Sequence, residues 1–313
     1  MTRWTPEQLG DLGARRVLIT GGNSGIGLEA ARVLARRGAL VVIGCRDLEK
    51  GTRALADIRA SAPGATVELL RLDLADLAVV EAAAEEYRAR FGHLDVLVNN
   101  AGVMAVPYRA TVDGFEMQFG TNHLGHFALG GHLLPALLAG TRARVVTVSS
   151  GMHKFGRMSW DNLDASSGYW KWPAYSMSKL ANLLYTFELQ RRAAGAGVDL
   201  IAVAAHPGYA STNLQGAGPR MTGGAVRAQA WGVVNAIAGQ SAARGSLPTV
   251  YAAVAPDVVG GDYIGPSGLG ELRGHPVKVR ATRRARDPRA AARLWSVSEK
   301  LTGVRYDPLG VPI

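Results

Sequence analysis

Six short runs rich in β-branched residues recur along the chain, "RRVLIT", "ALVVIG", "TVELLRL", "LDVLVNN", "ARVVTVSS" and "VDLIAVAAH", with stretches of helical period between them. Within each run the apolar residues are continuous rather than alternating, so both faces of each strand must be covered by helices. This pattern predicts an α/β fold: a doubly wound parallel sheet of the Rossmann type, as a single domain over residues 1–313. Ligands of such a sheet bind at the carboxyl ends of its strands, so the segment after each run carries the functional information. Composition agrees, with 48% apolar and 19% charged residues and 39 glycines among 313. Those values describe a globular α/β protein with many tight turns, and no internal repeat or long linker divides it.

After the first run comes "TGGNSGIGLEAARVLARRGA", a glycine-rich turn leading directly into a helix with apolar Ile26, Ala30, Val33 and Leu34. Gly21, Gly25 and Gly27 leave the backbone bare, and the helix start offers free N–H groups and the positive end of its dipole, the requirements of a phosphate cradle. After the second run stands "CRD". The acidic residue that would bond the adenosine ribose hydroxyls is missing, Cys45 stands in its place, and Arg46 follows. Asp47 reads as the cap of the next helix. After the third run, Asp73 either lies near the adenine or caps a helix. The fourth run ends in "NNAG", the fifth in "VSSG" and the sixth in "HPG", so every loop on this edge carries small or hydrogen-bonding residues. In "AYSMSK", Tyr175 and Lys179 are four apart and share one helix face, and the following "LANLLYTFELQRR" extends the helix with a buried stripe.

The formal charge is +10, and nearly all of the positive side chains are arginine, which suits anionic ligands such as phosphates. The charge is spread along the chain except at "RATRRARDPRAAAR" (280–293), which reads as a solvated approach to a helix rather than a nucleic-acid arm. Cys45 is the single cysteine, so no intramolecular disulfide forms. The start has no apolar signal core, and no stretch of about 18 uncharged apolar residues offers a membrane span. The expectation is a cytoplasmic protein without a transmembrane segment or nucleic-acid partner. His123, His126, His153 and His206 lack metal-ligand spacing and are expected to be packing or pocket residues, with no metal.

Taken in order, "TGGNSGIG", "NNAG", the asparagine of "TNHLGHF", "VSSG", "YSMSK" and "HPG" make residues 14 to 270 resemble the classical short-chain dehydrogenase/reductase family. The wording of "CRDLEKG" and "AYSMSKLANLLYTFEL" is similar to its retinol-dehydrogenase-like branch. The resemblance implies an oxidoreductase that moves a hydride between a nicotinamide cofactor and a carbonyl or alcohol carbon. It makes Tyr175 the general acid/base, Lys179 the group that lowers its pKa and bonds the nicotinamide ribose, and Ser150, rather than Ser149, the hydrogen-bonding group on the substrate oxygen. Asn122 holds a water linking Lys179 to solvent. Cofactor contacts fall on Gly21, Asn23, Ser24, Gly25, Ile26, Gly27, Arg46, Asp73, Leu74, Asn100, Ala101, Gly102, Tyr175, Lys179, Pro207, Gly208 and Thr212.

With no acid after the second strand and Arg46 beside it, the expected cofactor is NADP(H), with NAD(H) as the alternative. Phe155, Trp160, Tyr169, Trp170 and Trp172 lie between the serine and the tyrosine, so residues 151–174 either line a bulky apolar pocket or pin a long loop. Residues 208–228 form the second substrate loop, with 208–218 expected to be a mobile lid, and 285–313 a C-terminal helical extension. A homo-oligomer is compatible with all of this. Two other functions fit the motifs less well: an extended-type epimerase or dehydratase, which needs a tighter glycine loop and a larger C-terminal domain, and a catalytically silent NADP(H)-binding redox sensor or scaffold.

Overall fold

The computed structural model describes residues 3–209 and 240–310. One sheet of eight strands runs through them: β1 (Arg16–Thr20), β2 (Leu40–Cys45), β3 (Val67–Arg71), β4 (Val96–Asn99), β5 (Ala143–Val148), β6 (Leu200–Ala205), β7 (Tyr263–Pro266) and β8 (Pro276–Lys278). The strand order is 3-2-1-4-5-6-7-8, parallel throughout except for the antiparallel β7–β8 pair. The six apolar runs are strands β1 to β6. Sequence reading missed β7 and β8, because four-residue and three-residue strands bounded by glycine and proline leave no periodic pattern.

Successive strand residues are buried on opposite faces. Val17, Ile19, Val41, Ile43, Val96 and Val98 face α1 (Gly25–Arg36), α2 (Leu48–Ser61) and, numbered in chain order, α8 (Ala242–Val254). Leu18, Val42, Leu97 and Val145 face the opposite layer, with α3 (Leu77–Phe91), α5 (Gly125–His132) and α7 (Lys171–Ala196). Between β4 and α5 lie α4 (Met117–Phe119) and a π turn (Gly120–Leu124), and α6 (Leu134–Leu138) leads into β5. The register aligns the strand ends: Thr20 is level with Gly44, Asn99 with Thr147, and Val148 with Ala205. All the motif-bearing loops therefore leave on one edge.

Helix starts follow local chemistry. Asp47 caps α2, its carboxylate accepting from Lys50 N at 3.0 Å, as expected. Asp73 does not cap α3; Asp76 does, accepting from Ala78 and Val79, while Asp73 closes a tight turn onto Ala75 N. Helix α7 is buried almost all round between Tyr175 and Leu189, not along one stripe, because the short turns Gly151–Phe155 and Arg284–Arg286 and the C-terminal helix α9 (Pro288–Thr302) cover the side away from the sheet. Asp287 caps α9 and Gly303, at φ 71°, ends it. The helix docks through Trp295, which is 1% exposed, stacks with Tyr185, meets Phe127 and Tyr306 edge-on or tilted, and lies under the Arg192 guanidinium. Among the described residues no helix is long and apolar enough to cross a membrane.

Trp295→Ala empties a site enclosed on every side and is expected to lower stability by about 3–5 kcal/mol. Urea unfolding measures it; a loss below about 1 kcal/mol would mean that the C-terminal helix is an appendage and not part of the core.

Candidate active site

The cradle begins where β1 ends. Gly21 and Gly25 take positive φ, 65° and 56°, which side chains with a β carbon rarely adopt. Gly27 is fixed by space: a β carbon there would sit 2.5 Å from Asn100 Nδ2 and 2.6 Å from Gly21 O. Ser24 stands at the N-cap of α1 in an extended conformation, exposed and without a side-chain cap bond, so its hydroxyl and the first N–H groups of α1 face outward. A bare turn against a helix start fits a dinucleotide diphosphate.

Thr20, the last residue of β1, holds this cradle to the next loop. Its hydroxyl oxygen accepts from Asn100 N and Ala101 N, both at 2.9 Å, and lies 2.8 Å from His126 Nε2. His126 Nδ1 is 3.0 Å from the Asn122 carbonyl, which can only accept, so Nδ1 carries the hydrogen and Nε2 accepts from Thr20. Burial keeps this imidazole neutral, with its pKa pushed down to about 4. Asn100 completes the link by donating from Nδ2 to Thr20 O at 2.7 Å.

Across "NNAG" lie Asn122, Lys179, Tyr175 and the two serines of "VSSG". Asn122 belongs to the π turn, a feature frequent at functional sites. Its Oδ1 accepts from Val103 N, and its Nδ2 donates to Val103 O and Ser178 Oγ, so the side chain is fully engaged. A β carbon on Gly102 would lie 2.9 Å from Asn122 Oδ1 and 3.5 Å from Lys179 Nζ, which explains why this loop ends in glycine. Lys179 Nζ donates to Val148 O at 3.1 Å and lies 5.9 Å from the centre of the Tyr175 ring. Burial lowers the lysine pKa to about 8. Tyr175 is pushed up to about 12 by burial, and the nearby Ser150 hydroxyl offsets only part of that. In the protein alone desolvation dominates and the phenol is held protonated; the lowering implied by the resemblance belongs to the pair with a nicotinamide ring beside it. Ser149 and Ser150 have separate fates. Ser149 is buried and its hydroxyl donates to Lys179 O, whereas Ser150 caps the turn Gly151–Phe155 and adjoins Tyr175.

The remaining sequence candidates fall as follows. Ile26 and Leu74 are buried, Asn23 is half-buried at the cradle, and Asp73 is half-buried two residues past the end of β3. Arg46 is exposed just past β2. Cys45 turns beneath α2, 5% exposed, with its thiol donating to Asp47 O. Pro207 and Gly208 follow β6 on the same edge, while Thr212 and almost all of the second substrate loop lie outside the described residues. The aromatic stretch divides between the two readings. Tyr169 is a pin, donating to Val106 O and accepting from Gln118, and Trp160 lies under Arg293 of α9. Trp172 packs edge-on to Tyr175, and Phe155 and Trp170 are 74% and 78% exposed. The basic run at 280–293 is not merely solvated: besides Arg293, Arg284 donates to Gly156 O.

Sequence reading passed over Thr20, Ser178, Asn182 and His126 as site residues. Asn182 shares Val148 O with Lys179. Thr20 and the "SxxxN" spacing of Ser178 and Asn182 stand beside recognised motifs and were legible there; His126, read only as packing, becomes a linker through contacts far apart in sequence. Among the described residues no group of three or more His, Cys, Asp or Glu side chains could hold a metal ion.

The model of the short chain dehydrogenase family matches residues 15–221. Retinol dehydrogenase 12 of Mus musculus is 39% identical over 293 residues, 93% of this chain and 87% of that protein. A crystal structure of an uncharacterized protein from Mycobacterium paratuberculosis is similar with a TM-score of 0.80 at 45% identity, covering 97% of this chain and 99% of that one. A gluconate 5-dehydrogenase structure from Beutenbergia cavernae, described as NAD(P)-dependent and holding NADP, gives 0.61 at 27% identity over 81% of this chain and 95% of its own. With its doubly wound sheet and its motifs gathered on one edge, the chain belongs to the short-chain dehydrogenase family of NAD(P)-dependent oxidoreductases, in the retinol-dehydrogenase-like branch.

Proposed function

We propose that this chain is an NADP(H)-preferring short-chain alcohol dehydrogenase or carbonyl reductase acting on a bulky, apolar substrate. The observation that carries the reading is a chain of neighbours at the open edge of the sheet: Asn122 and Lys179 beside Gly102, the Lys179 ammonium 5.9 Å from the centre of the Tyr175 ring, and the Ser150 hydroxyl against Tyr175. The cofactor, when bound, supplies or takes the hydride at its nicotinamide ring. Gly21 to Gly27 and the start of α1 would hold its diphosphate, and Lys179 its nicotinamide ribose. Ser150 orients the substrate oxygen. Tyr175 passes its phenolic proton to that oxygen in reduction and takes one from it in oxidation. A phenol held near 12 is ready as an acid at neutral pH, so alcohol oxidation gains with rising pH. Trp172 beside Tyr175 and the exposed Phe155 and Trp170 supply apolar surface in the segment between the serine and the tyrosine, and the relative of 39% identity is named a retinol dehydrogenase.

The test is a screen of carbonyls and alcohols of graded size, followed at the reduced-nicotinamide absorbance. Large apolar carbonyls are expected to be reduced best, and Tyr175→Phe is expected to lose about a hundredfold to ten-thousandfold in turnover while still binding cofactor. Activity that falls with chain length, or a phenylalanine variant that keeps it, refutes this reading.

Burial of the lysine carries a stability signature. Its folded pKa, about 8, lies below the ordinary 10.5, so the unfolded chain binds more protons between those values and the buried cation destabilises the fold below pH 8. Lys179→Met is expected to raise stability at pH 7 by on the order of 1–3 kcal/mol, with the gain shrinking as pH rises from 8 towards 10.5. Denaturant midpoints at pH 7 and pH 10 decide this; an equal effect at both would place the charge in solvent.

Cofactor preference is assigned to Arg46, whose guanidinium can take a 2′-phosphate through paired hydrogen bonds worth about 1.5–3 kcal/mol. Arg46→Ala is expected to lose most of a roughly tenfold to hundredfold NADP(H) preference in kcat/KM. Because Cys45 turns beneath α2, an acid installed there would be buried, so the alanine variant is the cleaner probe. Unchanged selectivity would release Arg46 from this role.

A further inference from the structure

We propose that Glu271 is a positioning residue for the substrate end of the site, holding the Pro207–Gly208 turn and the Ser150 turn in one arrangement; this rests on the reading above that these turns border the reacting atoms. Glu271 lies outside every motif, in the turn Leu269–Glu271 between β7 and β8. Its φ is +59°, directly after Gly270 at +63°. A residue with a β carbon is disfavoured in that region, and glycine would suit it better, so something must hold Glu271 there.

The carboxylate supplies the reason. Oε2 lies 3.0 Å from His206 Nε2 and 3.4 Å from Lys154 Nζ. The approach to His206 is off-line for a straight hydrogen bond, so the contact is chiefly electrostatic. His206 is buried, and its Nδ1 accepts from Gly208 N at 3.2 Å, which leaves the ring hydrogen on Nε2, the nitrogen nearest the carboxylate, though not aimed along the contact. One oxygen therefore reaches the "HPG" turn through the histidine of that motif. Through Lys154 it reaches the Gly151–Phe155 turn, where Ser150 Oγ accepts from Met152 N and His153 Nδ1 donates to Ser150 O at 2.7 Å. The backbone next to Glu271 reinforces the first link, since Leu272 O accepts from Tyr209 N at 2.8 Å and a β carbon on Gly208 would run into that same carbonyl. The Ser150 turn and the "HPG" turn thus both reach one carboxylate, through Lys154 and His206 respectively.

The competing account is that Leu272 O alone holds the turn and Glu271 is a surface acid. Two variants separate them. Glu271→Gly removes the carboxylate and relieves the backbone, so a merely structural residue would leave Tm equal or higher and function untouched. The proposal expects Tm equal or higher together with an NADPH Kd, read by tryptophan fluorescence, raised about tenfold and kcat/KM lowered about tenfold to hundredfold. Glu271→Gln keeps the shape and one acceptor and should recover part of both losses at wild-type Tm. A glycine variant within twofold of wild type in Kd and kcat/KM overturns the proposal. If the glycine variant also loses Tm, the glutamine variant decides: wild-type Tm with altered Kd and kcat/KM upholds it, and unchanged values overturn it. Wild-type protein that binds no NADPH or NADH removes the underlying reading and the proposal together, whereas wild-type binding with a silent Glu271→Gly removes the proposal alone.

Discussion

The hydroxyl of Thr20 is where the cofactor half of the molecule is joined. A hydroxyl has one hydrogen and two acceptor directions, and here all three are used: the hydrogen toward His126, the lone pairs toward the N–H groups of Asn100 and Ala101. Both N–H groups leave the sheet at the end of β4, where Asn100 N also reaches Val98 O at 3.0 Å and the Thr20 hydroxyl holds the two together. Their capture by the end of β1 sets the distance between the two loops. Gly27 then has no room for a side chain because Asn100 has been drawn in, and Gly102 has none because Asn122 and Lys179 stand behind it. Bare backbone is in this way a consequence of close packing between loops as well as a provision for a ligand.

His126 carries the same constraint onward. Its neutral form can serve Thr20 and the Asn122 carbonyl only in one tautomer, and burial suppresses the charged form that would break the pattern. From Asn122 the chain of contacts passes to Val103 and Ser178, and Ser178 is one residue from Lys179 on α7. The lysine and tyrosine are therefore held from two sides, by Val148 O at the end of β5 and by the π turn behind "NNAG". Holding an ammonium and a phenol this deep is unfavourable for the fold, which is why both pKa values move toward the uncharged forms. That same desolvation makes the site sensitive to any new positive charge brought next to the phenol.

Much of the cofactor half was legible because its signals are local. A β-branched run, a glycine turn and a helical period follow one another within twenty residues, and the i,i+4 spacing of Tyr175 and Lys179 survives as an actual proximity. What could not be read depends on distance in sequence or on space. The His126 link to Thr20 spans over a hundred residues. The cap of α3 moved from Asp73 to Asp76 because two acids in "LDLAD" meet the same local rule and only the path of the chain chooses between them. The depth of the tyrosine–lysine pair could not be read either, since spacing reveals a neighbouring ammonium but says nothing of how little water reaches the two.

The segments proposed to border the substrate are built differently, and their poor legibility has a physical cause. They lack period and are ordered by partners late in the chain: Trp160 by Arg293, Gly156 by Arg284, and the "HPG" turn by the β7–β8 connection. None of these partners belongs to a motif, and each acts through a single guanidinium, carboxylate or carbonyl. Such contacts can be exchanged without disturbing the sheet, because the layers on both faces close without them. A fold arranged so can keep one cofactor cradle while its substrate walls are re-tied. The arginine-rich segment before α9 is best understood in those terms: it spends part of its charge on fastening the loop that leads from the serine to the tyrosine.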